Sequence, residues 1–215
     1  SDQFHARADS PPAPQPSLLT TSSSPDEILQ RARQRDRSWN TLFVDQVFVS
    51  YGPPGYSGPP LQNSRIQIYA SQPHHWISIQ GILDSQKGYL SYGIGDWIFR
   101  RTPSQGRFSA VWNPGGFQGS SSPLSTFYLT AGGKYQNAGE DMIVGRPAIM
   151  LDWFNEAGSQ QQRLWFDART GLLLKYEIFN GQQEDIILYS MAVIDVRYDI
   201  PFPEDLQTQS ETEHQ

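Results

Sequence analysis

The chain has 215 residues, a formal net charge of −6, no Cys, and six Trp, ten Tyr and eleven Phe. That length suits one domain with tails or two small ones, and the acidic balance excludes the electrostatic footprint of a nucleic-acid binder. Without Cys there are no disulfides and no thiolate metal sites, while the redox compartment stays open.

No apolar run is long enough to span a bilayer, and none at the start resembles a signal-peptide core. An exported form is therefore expected to have lost its signal or lipid anchor ahead of Ser1. Residues 1–24 are rich in Pro, Ser, Ala and Gln, too poor in apolar groups to offset the entropy of ordering. They read as a flexible tether. Ser24-Pro25-Asp26-Glu27 then signals a helix start, with Ser as N-cap, Pro at the first position and Glu at the reciprocal capping position. The helix is expected to run to about Arg37, with Ile28, Leu29, Ala32 and Trp39 on its apolar side. Arg31, Arg33, Arg35 and Arg37 fall mostly on the solvated side, a surface feature more than a docking face for an acidic partner.

Thr41 to Tyr51 reads as a long strand, and the Pro-rich stretch from Gly52 to Pro60 as a stiff loop. Period-two alternation marks strands at Ser64–Ala70 and Trp76–Gln80, followed by Gly88–Tyr92 and Trp97–Arg101. From Arg101 to Gly139 turn residues dominate, yet Phe108, Val111, Trp112, Phe117, Leu124, Phe127, Tyr128 and Leu129 need somewhere to go. A lid or plug over the sheet is the expectation. Met142 to Phe154 reads as one strand. After it, Arg163–Asn180 divides around Asp167-Ala-Arg-Thr-Gly171 into a hairpin, because Asp can bond nearby backbone and Gly tolerates positive φ. The Asn180-Gly181 turn leads to a last strand at Asp185–Tyr198. Turn spacing predicts eight to eleven strands in one mainly β (α+β) fold: a single highly curved antiparallel sheet with an N-terminal helix and a covering segment. The domain is expected over 25–206, with a frayed tail at 207–215.

No catalytic constellation stands out. The adjacent His74-His75 would point to opposite faces of an extended strand, Gly93-Ile-Gly95 lacks a dinucleotide fingerprint, and Ser120-Ser-Ser122 lacks a nucleophile-elbow context. Glu140-Asp141 and Glu184-Asp185 read as solvated carboxylates at loop ends. The reading is therefore of a protein that is not an enzyme and has no cofactor or metal. Aromatics are the stronger hint, since apolar pockets are lined by such groups. The candidate ligand-contacting set is Trp76, Trp97, Phe99, Trp112, Phe117, Phe127, Tyr128, Trp153 and Trp165.

The order of features resembles the LolA-like superfamily of extracytoplasmic bacterial proteins, which includes LolA, LolB and the lipoprotein-like domain of RseB. The resemblance runs from about Pro25 to Leu206. It is carried by the capped helix ending at Trp39, Pro73-His-His-Trp76 and Tyr92-Gly-Ile-Gly-Asp-Trp-Ile-Phe-Arg100. It continues in Val144-Gly-Arg-Pro147, Leu164-Trp-Phe-Asp-Ala-Arg-Thr-Gly-Leu-Leu-Leu-Lys175 and Ile194-Asp-Val-Arg-Tyr-Asp-Ile-Pro-Phe-Pro203. It implies a half-barrel with an apolar cavity under a covered mouth. The implied partner is the acyl chain of a lipid or lipoprotein, held by a monomer in the periplasm or at the cell surface as carrier or sensor. The alternative is an RseB-like module with a plugged cavity that binds an envelope or membrane protein.

Overall fold

The computed structural model describes residues 17–72, 76–94, 97–102, 104, 107–112, 132–181 and 183–201. Helix α1 (Pro25–Arg33) starts where its local chemistry dictates. Ser24 Oγ accepts from the Glu27 N–H at 3.2 Å, and Glu27 Oε2 accepts from the Ser24 N–H at 2.7 Å, satisfying two donors that helical bonding leaves open. The helix stops short of Arg37. Its chain tightens into a 3₁₀ turn at Arg35–Ser38, which brings Arg35 inward. Expected on the solvated side, Arg35 is instead buried, with Nη1 donating to the Ala32 carbonyl at 3.0 Å and Nε 3.7 Å from Asp36 Oδ1. Burial lowers its pKa, and the neighbouring Asp36 charge opposes that shift only in part.

Residues just ahead of the helix are anchored. Leu19 is buried and its N–H donates to the Ala168 carbonyl at 2.8 Å. The Asn137 amide donates to the carbonyls of Thr20, Thr21 and Ser23. The leader expected over 1–24 therefore gives way to packed chain by Leu19, where an apolar side chain meets the core. Residues 1–16 and 202–215, with the expected tail, lie outside the described residues.

Eleven strands follow: β1 (Thr41–Ser50), β2 (Gln62–Ser71), β3 (Trp76–Gly81), β4 (Leu90–Ile94), β5 (Trp97–Arg101), β6 (Ser109–Trp112), β7 (Lys134–Ile143), β8 (Arg146–Phe154), β9 (Gln160–Asp167), β10 (Leu173–Asn180) and β11 (Gln183–Tyr198). They form one antiparallel sheet in the order β6-β5-β4-β3-β2-β1-β11-β10-β9-β8-β7. The sheet does not close, so the mainly β, incomplete-barrel architecture is the one expected. Every neighbouring pair joins consecutive strands except β1 with β11. Among the described residues the sheet's two edge strands are β6 and β7.

Two expectations about segments change. The single strand expected over Met142–Phe154 is the corner of a hairpin. Val144 (φ 46°) and Gly145 (φ 74°) turn the chain between β7 and β8, a backbone twist that suits tight hairpins. The covering segment expected over Arg101–Gly139 is sheet at both ends, since β5, β6 and β7 pair their backbones there. Its middle, 113–131, lies outside the described residues.

Alternation sorts the side chains into two faces. The inner face carries Leu42 and Val44 of β1, Ile68 and Ala70 of β2, Ile77 and Ile79 of β3, Leu151 of β8, Leu164 of β9 and Tyr176 of β10, paired in register across the strands. Ile28, Leu29 and Ala32 of α1 join these residues in one buried cluster, with the helix lying against β7 and β8. Burial of this apolar surface, at about 25 cal/mol per Å², is what holds helix to sheet. Among the described residues no helix is long and apolar enough to cross a membrane.

Candidate functional site

The inner face continues beyond the part that α1 covers. Toward the other end of the strands, register sets Ile178 opposite Gln162, Gln162 opposite Trp153, and Trp153 opposite Tyr135, a row crossing β10, β9, β8 and β7. Phe48 of β1 stacks on Tyr189 of β11, with ring centroids 6.2 Å apart and planes at 22°. Phe48, Ile66, Tyr135 and Ile178 are only partly buried and pack against the core cluster. They offer apolar surface that the fold itself does not fully consume.

Two polar groups interrupt this surface. The side-chain oxygens of Gln46 and Gln162 are buried and have no hydrogen-bond partner, and parity puts both residues on the inner face. An unpaired buried amide is costly. Both oxygens are enclosed by the fold on the inner face, beside the partly buried apolar side chains. Among the described residues no cluster of His, Cys, Asp or Glu is arranged to hold a metal.

The described members of the expected aromatic set do not share a face. Trp153 is on the inner face, its Nε1 donating to the Gly132 carbonyl at 2.9 Å. Trp97 and Phe99 of β5 pair with Trp112 and Ala110 of β6 on the opposite, outer face, and Phe99 packs against Tyr92 at 5.8 Å. Trp165 is also on the outer face and buried, donating to Asp141 Oδ2 at 2.9 Å beneath the Lys175 ammonium, which is 4.3 Å from the ring. The Trp76 side chain, Phe117, Phe127, Tyr128 and the His74-His75 pair lie outside the described residues. Glu140 and Asp141, expected at a loop end, belong to β7; Glu140 accepts from the Thr21 N–H at 3.0 Å. Missed from sequence were Phe48, Ile66, Tyr135, Ile178 and the two glutamines. Period-two parity would have found them once the hairpin registers were fixed.

A cleft of about 460 Å³ opens near the start of β8, lined by Arg146, Asp167, Thr170 and Tyr198 among others. Asp167 is 1% exposed and accepts from Arg146 Nε, from the Arg169 and Thr170 N–H groups at 2.9 and 3.0 Å, and from the Tyr198 hydroxyl at 3.3 Å. Arg146 also lies 4.6 Å over the Tyr198 ring. Burial, then the Asp167 charge, raises the Tyr198 pKa. Burial alone would lower that of Arg146, but its contacts with Asp167 and Tyr198 outweigh this and raise it. Each strong group is matched, so the cluster acts as a staple between three elements.

No family model matches the sequence, and a search of curated proteins finds no match. Solved structures do match. The chain is similar to MucB of Pseudomonas aeruginosa in its complex with MucA, at TM-score 0.60 and 17% identity, covering 87% of this chain and 61% of MucB. A structure of MucB in complex with MucA(peri) matches at TM-score 0.55 and 18% identity, over 85% of this chain and 58% of that one. The chain thus spans about three fifths of MucB. A conserved protein from Thermus thermophilus matches at TM-score 0.55 and 10% identity, over 86% of this chain and 93% of that protein.

Proposed function

We propose, on the premise of the LolA-like fold that this chain shares with MucB, that it is a non-enzymatic binding protein of the cell envelope. In this reading its ligand is the acyl chain of a lipid or lipoprotein, laid against the inner face of the open sheet. The observation that carries the proposal is the set of partly buried apolar side chains on that face, Phe48, Ile66, Ile178 and Tyr135. Removing apolar surface from water at about 25 cal/mol per Å² supplies the affinity.

Native mass spectrometry of the purified chain, before and after incubation with phospholipids and lipopeptides, tests this. The expected result is a stoichiometric acyl adduct that Phe48→Ala weakens about fivefold or more, the effect of losing one large apolar contact. A mass that stays bare throughout overturns the reading. A second reading, an interaction module for a protein segment, is favoured by the likeness to MucB in complex with MucA(peri), and a bare mass would move the assignment there.

A further inference from the structure

We infer that the β5–β6 edge of the sheet docks onto an anionic lipid bilayer. Trp97 and Trp112 stand directly opposite each other across this hairpin, yet they remain 49% and 60% exposed. Val111, on the reverse face, is 51% exposed. Scattered apolar residues at a surface need no explanation, but an adjacent pair of the largest side chains forms a patch that a partner would cover. Indole fits the interface of a membrane, having an apolar body and an N–H that can stay with the headgroups.

Charge selects this occupant. Between Trp97 and Trp112 the sequence holds Arg100, Arg101 and Arg107 and no Asp or Glu, within a chain whose net charge is −6. Arg107 is exposed, and Arg101, on the same face of β5 as Trp97, lies 4.8 Å over the Phe108 ring, holding its charge beside the aromatic face; Arg100, also exposed, stands with Val111 on the reverse face. A basic, Trp-bearing edge on an acidic protein is complementary to phosphate headgroups. The described part of the edge strand is Ser109–Trp112. Its open backbone groups would be costly in hydrocarbon. Contact therefore stays in the headgroup layer, with the indoles inserted and the strand outside. This inference does not depend on what the inner face binds.

The test is sedimentation of the purified chain with vesicles of phosphatidylglycerol and phosphatidylethanolamine, against vesicles of phosphatidylcholine, over a salt titration. Binding is expected to the anionic vesicles, to weaken as salt shortens the screening length, and to be slight on the neutral ones. W97A/W112A should lose about tenfold or more in partitioning, and R101Q/R107Q about fivefold per charge removed. Should W97A/W112A melt lower than the wild type, R101Q/R107Q decides the matter. The proposal is overturned by absent binding, by equal salt-independent binding to both vesicles, or by full binding of a folded W97A/W112A chain. A dimer in solution that W112A dissolves would overturn it too, assigning the patch to a second copy.

Discussion

Gly171 has φ +76°, and a Cβ built there would fall 2.5 Å from the Arg31 carbonyl oxygen. The positive φ was legible from the Asp-x-x-x-Gly spacing, because turn chemistry is local. The approach of α1 was not, because it joins residues 140 positions apart in the chain. Gly171→Val therefore meets two penalties, backbone strain and a clash with helix backbone. A loss of about 2 kcal/mol or more is expected, read as a shift in the urea midpoint at constant m-value; an unchanged midpoint would refute the turn geometry. Arg35 teaches the same lesson from the other side. Helical periodicity put it in solvent, and the switch to a 3₁₀ turn, which that periodicity does not encode, put it in the core.

At the scale of elements, Asp167 ties the β9–β10 turn to the start of β8 and the end of β11. Its partners Arg146 and Tyr198 are 21 and 31 residues away in sequence, so the hairpin was readable but the staple was not. Asp167→Ala would strand the Arg146 guanidinium and two backbone N–H groups in a nearly buried site. We expect about 3 kcal/mol of destabilisation by chemical denaturation, with Asp167→Asn losing less because it keeps an acceptor. Equal losses for the two variants would mean that packing, not hydrogen bonding, holds the turn. The start of α1, by contrast, was readable to the residue, since Ser24, Pro25 and Glu27 make a cap from their own neighbours.

For the whole molecule, strand number followed from alternation and turn spacing and the open barrel from the family resemblance, but the assignment of faces followed from neither. Trp97 and Trp153 look alike in sequence, and only the register across several hairpins separates outer from inner. The outer face also sets a pH dependence. Asp45 is held below the ordinary carboxylate range: burial pushes its pKa up, but hydrogen bonds from Arg65 at 3.0 and 2.8 Å and from Gln67 at 3.0 Å, with the Arg65 charge, outweigh it. A depressed folded pKa contributes stability above the unfolded value of about 3.9, and that contribution is lost as pH falls through the lower folded value. Urea midpoints from neutral pH to about pH 2 should fall more steeply below about pH 4 in the wild type than in Asp45→Asn. Matching acid limbs in the two proteins would remove Asp45 from the account.

The strand order has a further consequence, for assembly. Two stacks of hairpins, β1–β6 and β7–β11, are each built from sequence neighbours and meet along one seam, β1 against β11, with α1 reaching across to β7 and β8. Pairing within each stack closes short loops, whereas the seam joins the first strand to the last, so forming it is the slow, high-contact-order event of folding. A chain cut between β6 and β7 would leave every ladder among the described residues intact. Two polypeptides, expressed apart and mixed, then have a complete set of partners with which to reconstitute the sheet.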